Sequence, residues 1–166
     1  MDKNLSTEVP HTDEQNKEEI LKITNIKLGL ASVSKEEAIK SAGELLKNSG
    51  YVEAEYIDGM LKRESLVSTY LDHNIAIPHG EADVKEKVKK TGIVILQYPQ
   101  GIDYGNGNIV KLVIGIAGKG NEHIDLIAKL AGILDGESSK DDNLRILPFS
   151  FLNNPTLVLA ILSPSR

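Results

Sequence analysis

The pattern of apolar and polar positions predicts helices that alternate with strands. Apolar residues recur at helical spacing after Ser34 and again over residues 52–65. Ser34 stands three residues before Glu37, which is typical of a capping box, and Gly50 is placed to end this first helix. Asn121, a favourable N-cap residue, precedes another helical pattern. The sequence therefore predicts at least three helices.

Other stretches have the composition of strands. Residues 92–98 and 109–117 are nearly continuous β-branched runs, which predict central strands buried on both faces. Residues 20–28 mix apolar and polar positions and predict a short edge strand. Residues 67–77 predict two short strands around a polar turn, and Pro78 stops the second. We therefore expect an α/β fold, a single compact domain with a mixed β-sheet sandwiched by helices on both faces.

The two ends of the chain differ from this middle part. Residues 1–19 are polar and charged, so they cannot bury enough apolar surface to offset the entropy lost on ordering. We predict a flexible N-terminal tail there and a domain over residues 20–166. Near its end we expect a polar loop at 136–143 and a short last helix at 154–162, where Asn-Pro opens the pattern.

Composition narrows the classes of function. The 166 residues carry a formal net charge of −5 and only 4% aromatic residues, without a basic stripe, so nucleic acid is not expected as a partner. The absence of cysteine excludes disulfides and thiolate chemistry. The first residues lack the apolar core of a secretory signal, and no apolar run approaches the ~20 residues that span a bilayer. We therefore expect a cytoplasmic protein.

Histidine is the residue type with the clearest candidate chemistry. His79 follows Pro78, which fixes the backbone, and precedes Gly80, which leaves the approach open. Such a histidine suits phosphoryl transfer if one ring nitrogen is free and a hydrogen bond holds the other. Taken alone, this stretch also fits a buried or turn-forming histidine without a role.

Two further residues indicate an anionic site. His123 falls in the first turn of the helix predicted after Asn121, where free N–H groups and the helix dipole stabilise an anion. Arg63 lies near the end of the second helix, and a guanidinium binds two phosphate oxygens in fixed geometry. Each also has a plainer interpretation, as a surface histidine at a helix start and as a solvated cation at a helix end.

Rival chemistries fit the sequence less well. His73, His79 and His123 lack the ligand spacing of a zinc site, so no metal is expected. No Gly-x-Ser-x-Gly elbow indicates a serine hydrolase, and no Walker A loop indicates a bound nucleotide. We therefore predict no cofactor.

Five stretches carry a family resemblance over about residues 20–135. They are residues 60–64 (MLKRE), 67–71 (VSTYL), 75–80 (IAIPHG), 96–101 (LQYPQG) and 113–123 (VIGIAGKGNEH). In order and spacing, they resemble the enzyme IIA components of the mannitol/fructose family of the bacterial phosphoenolpyruvate-dependent sugar phosphotransferase system. The resemblance is greatest to mannitol-specific enzyme IIA.

The resemblance implies a role for each candidate residue. His79 matches the phosphorylated histidine, Arg63 an arginine that contacts the phosphoryl group, and His123 a second active-site histidine. By this resemblance the chain is a phosphotransferase component that accepts phosphate from the phosphocarrier protein HPr. It passes the phosphate to a cysteine of enzyme IIB, and sugar entering through the membrane permease receives it. Contact with the membrane would then be indirect, through the permease.

Two departures from the family pattern leave alternatives open. His73 stands where relatives often carry an acidic or small polar residue, so it is either an accessory residue that changes the charge of the site or an outward-pointing side chain. After Gly136 the likeness fades, and residues 149–162 are unusually apolar. The alternative function is a regulatory enzyme IIA-like module whose phosphorylation state controls partner proteins. A third is a degenerate relative that keeps only the fold.

Overall fold

A computed structural model of the chain describes residues 20–134, and a mixed β-sheet forms its centre. The strands are β1 (Ile26–Lys27), β2 (Tyr70–Asp72), β3 (Ile75–Ala76), β4 (Gly92–Asp103) and β5 (Ile109–Ala117). They lie in the order β1-β4-β5-β3-β2. The pairs β1–β4 and β3–β5 are parallel, and the other two are antiparallel. Every strand begins in a stretch for which the sequence predicts one, and β1 is the expected edge strand.

Strand β4 continues past the residues for which a strand is predicted. The prediction ends at residue 98, and residues 101–108 are expected to form a turn-rich link. In the structure β4 pairs with β5 again at Ile102 and Asp103, after a register shift that begins at Gln97. A bulge of this kind interrupts the alternation of side chains, which is why the pattern hides the second half of the strand.

Within residues 20–134, three α-helices flank the sheet. They are α1 (Lys35–Asn48), α2 (Glu55–Leu66) and α3 (Glu122–Leu134). The predicted capping box begins α1, because the Ser34 hydroxyl accepts the Glu37 N–H and the Glu37 carboxylate accepts the Ser34 N–H. The prediction for α2 is wrong at its start, since residue 52 is not helical. Val52 instead forms an isolated antiparallel bridge with Val88 and is buried there.

Helices cover both faces of the sheet, as the sequence predicts. Helices α1 and α2 pack on one face, where buried Ile39 and Met60 join the same apolar cluster as Val94 of β4. The opposite face holds a second cluster around Ile95, and Ile127 of α3 packs against it. Because successive strand residues point to opposite sides, the central strands supply side chains to both clusters.

Two short 3₁₀ helices complete the described part, at Ile23–Asn25 and Ala82–Lys87. The second lies between β3 and β4, and the sequence analysis does not predict it. Its Val84 packs so closely on α2 that a side chain at Gly59 would collide with it. Gly59 weakens α2 by about 1 kcal/mol relative to alanine, and this close approach explains why a glycine stands there.

Several predictions lie outside the described residues. These are the flexible tail over 1–19, the loop over 136–143, the last helix over 154–162 and the extension of the domain to residue 166. Among the residues that the structure does describe, none of the helices has the length and apolar character needed to cross a membrane.

Candidate active site

A cavity of about 360 Å³ brings together the three residues predicted to form an anionic site, His79, Arg63 and His123. They belong to different parts of the fold: the segment after β3, the last turn of α2 and the first turn of α3. The cavity is also lined by Tyr56, Gly80, Glu81, Ala82, Lys85, Val88, Gly118, Asn121 and Ile124.

The sheet holds the backbone of His79. Parallel pairing with β5 begins at Ile75 and continues to an isolated bridge between His79 and Ile116. Pro78 has no N–H to offer, but its carbonyl accepts the Ile116 N–H at 3.0 Å. His79 therefore stands at the end of an extended segment that a central strand fixes in place.

One hydrogen bond sets the chemical state of the His79 ring. Its Nδ1 lies 2.8 Å from the carbonyl oxygen of Ile77. A carbonyl can only accept, so the proton is on Nδ1 and the lone pair of Nε2 is free. Burial lowers the pKa of His79 more than this bond raises it, and the nearby Arg63 charge lowers it further. The ring is therefore neutral at neutral pH, the form in which Nε2 is a nucleophile.

Arg63 is held at the cavity wall by two contacts. Its Nη1 donates to the carbonyl of Val67 at 2.7 Å, and its Nε lies 3.9 Å from Oε1 of Glu81. A guanidinium has five N–H donors, so others remain for the oxygens of an anion.

His123 lies across the cavity from His79. The two ring centroids are 6.2 Å apart, and the ring planes are inclined by 33°. The first turn of α3 comes so close to the preceding loop that a Cβ on Gly118 would fall on the backbone nitrogen of His123. Glycine at this position lets the positive end of the α3 dipole approach the His79 ring.

The structure does not bring His73 to this cavity. His73 is exposed in the turn between β2 and β3, with φ at 51°, and its N–H donates to the Asp72 carboxylate. It lies at the opposite end of β3 from His79 and does not line the cavity. An accessory role for His73 gains no support from this position.

Tyr56 supports the site and was missed in the sequence analysis. Its hydroxyl donates to the carbonyl of Ile116 at 2.7 Å and accepts the N–H of Gly80 at 2.8 Å. Burial raises the pKa of Tyr56 to about 12, so the hydroxyl keeps the proton that it donates. Its spacing of four from Met60 places it on the buried face of α2, but nothing in the sequence indicates the contact with Gly80.

A second support, also missed, begins at Glu64. This buried carboxylate accepts hydrogen bonds from both the N–H and the hydroxyl of Thr69. The Thr69 carbonyl in turn accepts the N–H of Ile77 at 3.0 Å. The carbonyl of Ile77 is the acceptor for His79, so this chain of bonds orients the group that selects the ring tautomer.

The donors around the cavity suit an anion. Arg63, Lys85 and the first turn of α3 offer N–H groups and positive charge. In the part of the chain that the structure describes, no three His, Asp or Glu side chains are grouped as a metal site. The geometry therefore provides a ring nitrogen with a free lone pair beside groups that can bind the oxygens of an anion.

Comparison with known proteins agrees with this arrangement. Residues 19–145 match the family model of the phosphoenolpyruvate-dependent sugar phosphotransferase system, EIIA 2. The mannitol-specific phosphotransferase enzyme IIA component of Geobacillus stearothermophilus is 56% identical over 112 residues, which are 68% of this chain and 77% of the relative. The mannitol-specific EIICBA component of Escherichia coli (strain K12) is 52% identical over 116 residues, 69% of this chain and only 18% of that longer protein.

Solved structures show the same fold. The crystal structure of IIA mannitol from Escherichia coli superimposes with a TM-score of 0.69 at 44% identity, over 86% of this chain and 99% of that one. The complex of enzyme IIA and phosphorylated enzyme IIB for mannitol, from the same organism, gives a TM-score of 0.70 at 44% identity, over 86% and 96%. The chain therefore belongs to the EIIA 2 family of the phosphoenolpyruvate-dependent sugar phosphotransferase system, whose members are phosphotransferase enzyme IIA components.

Proposed function

We propose that this chain is the phosphoryl-transfer protein of a mannitol phosphotransferase system. It accepts a phosphoryl group from HPr on Nε2 of His79 and passes it to a cysteine of enzyme IIB. The observation that carries the proposal is the hydrogen bond from Nδ1 of His79 to the Ile77 carbonyl, which frees Nε2 in a cavity shared with Arg63 and His123.

The names of similar proteins support the sugar and the partners. The Geobacillus relative is named for mannitol. One structural neighbour was solved in complex with phosphorylated enzyme IIB. The Escherichia coli relative is a single longer chain that is named the mannitol-specific EIICBA component. We infer that this chain docks with an enzyme IIB and reaches the membrane only through the permease.

The transfer needs no group beyond the two proteins. The Nε2 lone pair attacks phosphorus, and the new N–P bond forms as the bond from phosphorus to the donor breaks and leaves its electron pair on the donor. The Nδ1 proton stays on the ring, donated to Ile77. The phosphohistidine adds close to two negative charges, which Arg63 and the start of α3 offset. In the second transfer the cysteine thiolate attacks, and the electron pair returns to Nε2.

The test is phosphorylation by phosphoenolpyruvate, enzyme I and HPr. Mass spectrometry should find one added phosphoryl group, on His79. His79→Gln should abolish it, because the nucleophile is lost. His73→Gln is the matched control, since this histidine is exposed and lies away from the cavity, and it should be phosphorylated like the wild type. Phosphorylation of His79→Gln at the normal rate would contradict the proposal.

Transfer onward separates the proposal from a purely regulatory module. The phosphorylated chain should lose its phosphate to a mannitol enzyme IIB and restore mannitol uptake in a strain without its own enzyme IIA. A chain that is phosphorylated on His79 but cannot pass the group to enzyme IIB would favour the regulatory alternative.

A further inference from the structure

A carboxylate lies inside the cavity that receives the phosphoryl group. Glu81 lines this cavity together with His79, and its Oε1 is 3.9 Å from Nε of Arg63. Its side chain is 23% exposed, so solvent screens it only in part. Among the described residues that line the cavity, Glu81 is the one that carries a carboxylate.

We propose that Glu81 sets the phosphoryl-transfer potential of His79. The inference rests on the proposed function. In the unphosphorylated protein the Glu81 carboxylate balances the charge of Arg63. In the phosphorylated protein two anions, the phosphoryl group and Glu81, share the same guanidinium and repel each other. Glu81 therefore destabilises the phosphohistidine relative to the free histidine and favours onward transfer.

The backbone of Glu81 is fixed, which keeps its carboxylate near the site. The preceding Gly80 N–H is bound to the Tyr56 hydroxyl. The Glu81 carbonyl accepts the N–H of Val84 as the 3₁₀ helix begins. Only rotation of its own side chain can take the carboxylate away from the incoming phosphoryl group.

The other charges at the cavity do not cancel this effect. Lys85 lines the cavity, and its ammonium donates to the amide oxygen of Asn121 at 2.7 Å. The carboxylate of Glu64, which follows Arg63 in the chain, binds the N–H and hydroxyl of Thr69. The charge of Glu64 also raises the pKa of His79, but Glu64 is buried against Thr69 and does not line the cavity. The carboxylate that the phosphoryl group meets inside the cavity is thus that of Glu81.

Neutralising Glu81 should stabilise the phosphorylated state. With Glu81→Gln we expect the phosphoryl exchange with HPr to shift toward the phosphorylated chain by about 3- to 10-fold, the size typical of one partly screened charge pair. The lifetime of the phosphohistidine should lengthen in the same direction. Both effects should shrink as salt is added, because salt screens the repulsion.

The experiment measures the exchange equilibrium on the full chain. Each variant is mixed with phosphorylated HPr after enzyme I is removed, and the phosphorylated fractions of both proteins are read by intact mass spectrometry. Glu86→Gln is the matched control: it removes one charge from the same 3₁₀ helix at an exposed residue that does not line the cavity. Glu81→Asp keeps the charge and should stay near the wild-type equilibrium.

The outcomes are distinct. A shift with Glu81→Gln, and with Glu81→Ala as a second neutral variant, but not with Glu86→Gln, supports the inference. A wild-type equilibrium for both neutral variants, or a shift toward the free histidine, overturns it. If the wild-type chain is not phosphorylated on His79 at all, the proposed function fails as well. If His79 is phosphorylated but the Glu81 variants keep the wild-type equilibrium, only this inference fails and the proposed function stands.

Discussion

The ring of His79 is positioned through the backbone on either side of it. Before it, the Ile77 carbonyl accepts from Nδ1, and Ile77 is itself bound to Thr69. After it, the Gly80 N–H is bound to the Tyr56 hydroxyl. Because both neighbours are fixed, the Nε2 lone pair keeps one direction into the cavity. Such preorganisation lets a phosphoryl group transfer without prior rearrangement.

At the same scale, Arg63 should affect the rate of phosphoryl transfer through its charge and should affect the stability of the fold little. Arg63→Ala should slow phosphorylation of His79 by roughly 10- to 100-fold, because it removes a cation and the donors that we propose bind the phosphoryl oxygens. The thermal midpoint should change little, since Arg63 lines a cavity and belongs to neither apolar cluster of the core. Rapid-quench measurement with phosphorylated HPr gives the rate.

The neighbouring cation supplies the control for Arg63. Lys62 pairs with Asp83 at 2.7 Å and does not line the cavity. Lys62→Ala should therefore keep the wild-type rate. Equal rates for wild type and Arg63→Ala would show that the guanidinium does not take part in transfer.

Residue type explains which parts of the site could be predicted. His79, Arg63 and His123 have distinctive chemistry and sit near the ends of predicted elements, so the sequence singles them out. Tyr56 acts through contacts with Gly80 and Ile116, which are far along the chain, and Thr69 acts through the backbone of Ile77. No local pattern reports such contacts, so only the fold identifies these supports.

At the scale of elements, the hydrophobic pattern predicts those helices and strands whose buried side chains recur at regular spacing. Helix α1 and the central strands bury side chains at regular spacing, so periodicity predicts them. The 3₁₀ helix Ala82–Lys87 carries four charged residues, and its close contact with α2 is made by one partly buried side chain, Val84. Such a short element has no period to detect. Glu81 directly precedes this element and lines the cavity, so the hydrophobic pattern alone does not place its carboxylate in the site.

Gly118, in the loop before α3, gives a prediction about the position of that helix. In Gly118→Ala the new Cβ would fall on the backbone nitrogen of His123, and a backbone atom cannot yield as a flexible side chain does. The first turn of α3 must shift, so we expect a loss of about 1–3 kcal/mol in the free energy of unfolding. His123 should move away from His79, and phosphorylation should slow.

Urea unfolding and the phosphorylation rate together check this prediction. Lys119→Ala alters an exposed side chain in the same loop and should change neither quantity. If Gly118→Ala matches the wild type in both stability and rate, the close approach does not hold α3 in position.

At the scale of the whole molecule, the site exists only where both layers of helices are docked. Arg63 comes from α2 on one face of the sheet and His123 from α3 on the other. His79 stands between them at the end of the paired segment that follows β3. Assembly of the site is therefore coupled to assembly of the fold. The burial that results makes stability depend on the charge state of His79.

This coupling predicts a dependence of stability on pH. Burial lowers the pKa of His79 below its ordinary value, whereas the unfolded chain keeps the ordinary value near 6.5. As pH falls through that value, the unfolded chain takes up a proton on His79 before the folded chain does. The free energy of unfolding therefore decreases. The stabilising contribution is fully present above the unfolded pKa and is lost as pH falls toward the folded pKa.

His79→Gln removes this contribution and provides the test. Urea unfolding from about pH 8 to about pH 5 should show the wild type losing stability relative to His79→Gln as pH falls below about 6.5. His73→Gln, a change at an exposed turn, should follow the wild-type curve. Curves for wild type and His79→Gln that stay parallel over this range would mean that folding does not desolvate the His79 ring. The neutral, nucleophilic state of His79 would then lack the burial that we consider its main cause.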